Sequence, residues 1–243
     1  MSRILVILFS LFISLDLFAG AIPIPRGLAK TDREMILEAL GFGSAAKLLS
    51  SPFPLGGYSG IELSLTSEFI PMADVATLAS KTSARSDLNY LNFVVGKGLY
   101  HNLDVLVQFI PMPQDHAISG FGGQLRWGFY QTNFMPANLS LVLHGSSTNF
   151  YNVLGTETSG VDLVASVNMI DFSLFFGLGQ ARSVGAFVGG AGGITDSGLA
   201  ENSDVYSPHT VFGISIKMSD LFLALEVDRF VQSTYAGKVG LRF

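Results

Sequence analysis

Hydrophobic and polar residues alternate with a period of two along most of the chain, beginning near Tyr58. Ile61, Leu63, Leu65 and Phe69 are interleaved with Glu62, Ser64, Thr66 and Glu68. Successive side chains of a strand point to opposite faces, so this spacing predicts one greasy face and one mixed, partly charged face. The pattern returns where Leu103, Val105, Val107 and Phe109 face away from Asp104, Leu106 and Gln108. It recurs with Phe121, Leu125, Trp127 and Phe129 against Gln124 and Arg126, and with Leu139, Leu141 and Leu143 against Ser140, His144 and Ser146. Val161, Leu163, Val167 and Met169 oppose Asp162, Ser166 and Asn168 in the same way. Looser versions cover 89–99, 172–179, 211–218 with Lys217 on the inner face, 221–230 with Glu226 and Asp228 there, and 233–243. The total is about ten strands, with eight or twelve as neighbouring counts.

The connections sort by length. Residues 100–102, 170–171 and 219–220 make tight turns and 132–137 a longer one, whereas 71–88, 112–119, 149–160 and 180–210 are long. Alternation of short turns with long loops is the organisation of an up-and-down barrel that crosses a membrane. The corner at 231–233 breaks the rule, being short where a long loop is expected. Phe69-Ile70-Pro71-Met72 recurs as Phe109-Ile110-Pro111-Met112, each time at the end of a strand. Proline cannot donate to the ladder and an aromatic favours the membrane interface, so the repeat reads as rim architecture.

Residues 22–57 follow a different pattern. Thr31-Asp32-Arg33-Glu34 has the form of a capping box, with a short helix over 35–40 ended by Gly41 and Gly43. A second short turn spans 44–50, ahead of Pro52 and Pro54. The segment is either a periplasmic extension or a helical plug in the barrel mouth.

Periodicity alone does not say which face is outside, and a soluble β-sandwich also alternates; the high apolar fraction, the N-terminal signal and the terminal Phe243 decide it. Of 243 residues, 49% are hydrophobic and only 14% charged, with 27 Gly and 20 Phe. Such a chain needs lipid or a large core to cover its apolar surface. At the N-terminus Arg3 precedes an apolar run over 4–18, broken by Asp16, and then Ala19-Gly20-Ala21. This predicts a signal peptide over 1–21, cleaved after Ala21 for export. The run is too short for a spanning helix. The absence of cysteine excludes disulfides, thiolate metal sites and a lipid-modified N-terminal cysteine. A net charge of −5 without basic clusters argues against nucleic acid.

The final strand carries the most specific signal. Tyr235, Val239, Leu241 and Phe243 share one face, Lys238 and Arg242 the other, and the sequence stops on Phe243. This resembles the C-terminal strand of Gram-negative outer-membrane β-barrel proteins, apart from Gly237 where a bulkier residue is common. The resemblance implies that these four residues are read by the barrel assembly machinery, that the chain sits in the cell outer membrane, and that its neighbours are outer-membrane lipid and lipopolysaccharide. It covers about ten residues strongly and 58–243 through alternation alone. The expected fold is an all-β transmembrane antiparallel barrel over 58–243, preceded by the helical segment 22–57.

With apolar faces in lipid, the lumen receives Glu62, Glu68, Asp104, Arg126, Asp162, Lys217, Glu226, Asp228, Lys238 and Arg242. Mixed charges in a narrow interior pair with one another, because an unpaired buried charge is costly. A last hairpin turning at Gln232 would set Glu226 against Lys238. His144-Gly145-Ser146 with Glu157 resembles the His-x-Ser arrangement of outer-membrane lipid A deacylases, a pattern short enough to arise by chance. His101, His116 and His209 read as solvated turn and loop residues with no metal-ligand spacing, and Asp74, Asp87 and Asp115 as loop acids. The glycines of 185–193 lack the Lys-Ser or Lys-Thr of a phosphate cradle, and read as a loop that folds inward or extends the seventh strand. No catalytic, metal or cofactor site is expected, and nothing sets the oligomeric state. Three classes of function follow in order: a structural or surface-exposed barrel with a largely filled lumen, a narrow porin-like channel, and a lipid-modifying enzyme.

Overall fold

The computed structural model describes residues 24–79, 87–110, 118–132 and 136–243. The expected signal peptide, His116, Asp115 and the Pro111-Met112 half of the rim repeat lie outside them. Ten strands form a closed ring. They are β1 (Ile61–Pro71), β2 (Asp87–Gly98), β3 (Leu103–Phe109), β4 (Ile118–Gln131), β5 (Ala137–Phe150), β6 (Leu154–Asn168), β7 (Phe172–Phe187), β8 (Glu201–Met218), β9 (Leu221–Arg229) and β10 (Ser233–Arg242). Each pairs antiparallel with its neighbours in sequence, and β10 returns to β1. Closure leaves no edge strand, a condition for placing backbone polar groups in hydrocarbon.

The outer face is the apolar one. Leu63, Phe93, Val107, Leu125, Trp127, Leu163, Phe176, Phe212 and Leu225 are exposed, while Glu62, Gln108, Arg126, Asp162 and Glu226 on the alternate positions are buried. This is the inverse of a soluble sandwich and the arrangement of a transmembrane barrel. The seam is made by the residues singled out at the end of the sequence. Leu241 lies opposite Leu63, Val239 opposite Leu65 and Tyr235 opposite Phe69. Phe243 and Ile61 exchange backbone hydrogen bonds of 3.0 and 3.1 Å.

Two of the expected long loops are largely strand. The connection expected over 149–160 shrinks to 151–153, with Tyr151 and Asn152 in the left-handed region at φ 56°. The one expected over 180–210 shrinks to 188–200, because β7 continues to Phe187 and β8 starts at Glu201. The physical reason is a change in the outer face. Glu157, Ser159, Arg182, Asp204 and Tyr206 point outward in these upper parts, while Leu154, Phe187 and Val205 point inward. The period of two persists, and Thr158, Ser183 and Ser207 still point inward, but the outer face is now polar and charged as well, as it would be where the wall rises beyond lipid into water. The 231–233 corner is short, as its sequence indicates.

Residues 24–60 run through the ring from the loop rim to the turn rim. Leu28 pairs with the 188–200 loop, its N–H donating to Ile194 at 2.9 Å. Helix α1 (Lys30–Ile36) and a π-helical turn (Leu37–Gly41) then pack against β6, β7, β8 and β1. The helix starts earlier than expected. Ala29, held extended by the adjoining Leu28 bridge, is the N-cap, and its N–H donates to Asp32 at 3.4 Å. Thr31 therefore lies inside the helix instead of capping it. No helical turn forms over 44–50; the chain runs irregularly, with Leu49 at φ 46°. Ile36, Leu37, Leu40 and Phe42 pack with Ile70, Phe150, Phe187 and Phe230 of the wall in one apolar cluster. Below that cluster the contacts become polar.

Candidate functional site

The polar contacts lie on the inner wall where residues 41–55 descend past it. Gly41 comes first: a Cβ there would stand 2.2 Å from Ser183 Oγ, so only glycine fits. The Gly41 carbonyl accepts the Thr158 hydroxyl at 2.9 Å, anchoring the π turn to β6.

Further down the segment, Lys47 Nζ lies 3.6 Å from Asp228 Oδ2 and above the Phe230 ring. Asp228 Oδ1 is 2.9 Å from His209 Nε2, and His209 Nδ1 is 2.7 Å from Asp162 Oδ1. His144 Nε2 approaches the other Asp162 oxygen at 3.2 Å. Phe230 is sandwiched between Phe42, at 5.0 Å, and His209, at 4.1 Å. Glu226 accepts the Leu48 N–H at 2.8 Å and the Leu49 N–H as well. The left-handed backbone of Leu49, unfavourable for a bulky residue, is thus fixed by a buried carboxylate. Glu68 on β1 accepts the Tyr90 hydroxyl at 2.6 Å and the Asn92 amide.

Toward the turn rim the wall cradles the segment's carbonyls and amides. Arg126 donates to Ser50 Oγ at 2.8 Å and to the Leu48 carbonyl, and is braced by Gln124. Ser140 donates to the Pro52 carbonyl at 3.0 Å, and the Leu55 N–H reaches both Asp104 oxygens at 3.2 and 3.1 Å. Glu62 gathers Lys238 Nζ at 2.7 Å and the Arg242 guanidinium at 2.9 and 2.8 Å.

The ten charged positions thus fall into distinct groups. Glu62, Lys238 and Arg242 form one cluster; Asp162 and Asp228 frame His209; Arg126, Asp104 and Glu226 hold the segment; Glu68 sits with Tyr90 and Asn92. Lys217 is exposed at the turn rim. The expected Glu226 to Lys238 pair does not form. The β9–β10 register centres on Val231, so Glu226 lies opposite Ala236 and Lys238 opposite Ala224. His209 is a second correction. It is buried on β8, within the stretch read as a loop, and its signal was the period of two running back from Val211 through His209, Ser207 and Val205.

The deacylase-like trio is not assembled. His144 faces inward and Glu157 outward, on opposite sides of the wall. His101 lies in the β2–β3 turn, in the left-handed region at φ 55°. Asp74, at the loop rim, accepts the Gln232 amide at 3.0 Å. On the outer face of the upper wall, Arg182 makes a bidentate pair with Asp204 at 3.0 and 2.6 Å, which holds the Asp204 carboxyl below its ordinary range.

No protein-family model matches the chain, and no curated protein matches it. Among solved structures it is similar to the N-terminal β-barrel domain of Pseudomonas aeruginosa OprF, with a TM-score of 0.39 and 9% identity over 77% of this chain and 99% of that one. It is also similar to Ail, the attachment invasion locus protein of Yersinia pestis, with a TM-score of 0.31 and 13% identity over 76% and 96%. A third, the KdgM porin, gives a TM-score of 0.34 and 10% identity over 75% and 98%.

Proposed function

We propose that this chain is an outer-membrane barrel with a structural or surface-exposed role, whose lumen is closed by its own residues 24–60 and which performs no catalysis. The observation that carries the reading is the chain of buried and part-buried hydrogen bonds joining the segment to the wall at successive heights. Thr158, Glu226, Arg126, Ser140 and Asp104 each hold a backbone group of that segment. A solute path would have to break several of these at once. Ten strands also give a lumen much nearer the filled eight-stranded barrels than the open 16-stranded porins. The localisation rests on the apolar exterior and on the final strand's resemblance to outer-membrane barrel termini.

Planar-bilayer recording of the folded protein and of a variant lacking residues 24–55 tests this. The full chain is expected to hold no steady conductance and the variant to open discrete channels. Steady conductance from the full chain, unchanged on deletion, would instead make it a narrow channel for small solutes. Hydrolysis or acyl transfer on lipid A by the purified protein would overturn the non-catalytic reading.

A further inference from the structure

Four adjacent strands bring an unusual set of side chains to one height of the inner wall. His144 on β5 lies opposite Gly160 on β6; Asp162 on β6 lies opposite Gly179 on β7; and Gly179 lies opposite His209 on β8. The two glycines make the room. A Cβ at Gly160 would stand 2.4 Å from His144 Nε2, and one at Gly179 would stand 2.0 Å from Asp162 Oδ1. The wall is hollowed where the two imidazoles and the carboxylate converge, and one ligand atom from each lies within 4.8 Å of the others.

His144 is the feature that an ionic lattice alone does not explain. It is 8% exposed; among the described residues its Nδ1 has no hydrogen-bond partner, and its Nε2 has only the 3.2 Å approach to Asp162 Oδ2. A buried polar group without a partner is costly, so a native fold retains one for a reason. His209 contributes an independent observation. Its Nε2 lies 2.9 Å from Asp228 Oδ1 and its ring is stacked on Phe230, which fixes both its orientation and its plane. An imidazole that binds a metal through one nitrogen characteristically donates its other N–H to a carboxylate in this way. That leaves Nδ1 directed at Asp162. Ligands about 2.0–2.2 Å from zinc stand roughly 3.3 Å apart at a tetrahedral angle. The spacing from His144 Nε2 to Asp162 Oδ2 is 3.2 Å, and His209 Nδ1 is hydrogen-bonded to Asp162 Oδ1 at 2.7 Å, a contact that a bound ion would open and replace.

We propose that His144, Asp162 and His209 bind a divalent transition-metal ion of the zinc type, with Asp228 positioning His209. The ion ties β5, β6 and β8 together across the barrel wall. All the ligands belong to the wall, so the site is independent of whether the lumen conducts.

The test uses the full chain folded in detergent, treated with chelator, dialysed, and titrated with Zn²⁺ while bound metal is measured by mass spectrometry. Co²⁺ substitution adds an absorption spectrum that reports coordination geometry. One equivalent per chain, a tetrahedral or five-coordinate cobalt spectrum and a rise in the thermal transition are expected. His144→Phe, which keeps a ring in place, removes the equivalent, whereas Asp228→Asn weakens binding by about 10–100-fold. His101→Phe in the β2–β3 turn changes nothing. Failure of the folded full chain to take up Zn²⁺, or uptake undiminished in a folded His144→Phe variant, would overturn the site and leave a proton-linked His and Asp network in its place. If His144→Phe does not fold, Asp162→Asn serves the same comparison, and retention of the full equivalent there overturns the site equally.

Discussion

Glu62 is fully buried and holds two cations, Lys238 at 2.7 Å and Arg242 at 2.9 Å. Replacing it with Gln strands a buried ammonium, which typically costs about 3–5 kcal/mol. Urea titration of Glu62→Gln should therefore show a clearly lowered midpoint, and an unchanged midpoint would mean that the pair adds nothing. Arg182→Ala gives the opposite expectation. Its partner Asp204 lies in water on the outer face, where ion pairs are screened, so the midpoint should not move measurably. Phe230 belongs with Glu62, since its ring lies between Phe42 and His209. Phe230→Ala opens a cavity at the junction of segment and wall and is expected to cost about 3–5 kcal/mol, read in the same titration. At this scale the sequence was legible where charge and alternation agreed, as at Glu62 and Lys238. It was silent where partners were chosen by register: the β9–β10 turn centres one residue earlier than expected, which moves every pairing in that hairpin by two.

Strands β7 and β8 illustrate the same limit for whole elements. Their lower halves were readable because Phe172, Leu174 and Phe176 face lipid. Their upper halves keep the period but carry polar residues on the outer face, so a rule that ends a strand where its outside turns polar ends it at the membrane surface. A chain without cysteine allows this boundary to be mapped directly. Single cysteines at Glu157, Arg182 and Asp204 are expected to react with a membrane-impermeant maleimide on intact cells, and cysteines at Leu174 and Phe176 to stay unlabelled. Labelling of the second pair would shift the boundary and weaken the reading of the upper wall as a surface feature. His144, Asp162 and His209 were out of reach for a related reason. Ligand motifs are recognisable when they recur along one element, whereas these three come from three strands and meet only once pairing is known. The segment before β1 was legible as a separate unit, from its prolines and its lost alternation. Its contacts with Arg126 and Glu226 were not, because irregular backbone leaves no periodicity from which to read a face.

The direction of that segment sets expectations for the whole molecule. Ile24 and Leu28 are at the loop rim, and β1 starts at the opposite rim, so the chain crosses the barrel once before its first strand. With the loops facing outward, an epitope placed just before Ile24 should be reached by antibody on intact cells. Staining that appears only after permeabilisation would reverse either the orientation or the path. A folded barrel should also migrate differently from boiled protein on a gel, and deletion of 24–55 should lower the temperature at which that difference disappears. One consequence concerns the order of events during insertion. The seam of Ile61 with Phe243 joins the only neighbouring strands that are not consecutive in sequence, so if hairpins pair in order it closes last, and a segment that crosses from rim to rim with its side chains locked to the wall cannot easily be drawn through afterwards. Closure then has to wait for the segment, so the moment at which the final strand finds the first would be timed by residues belonging to neither.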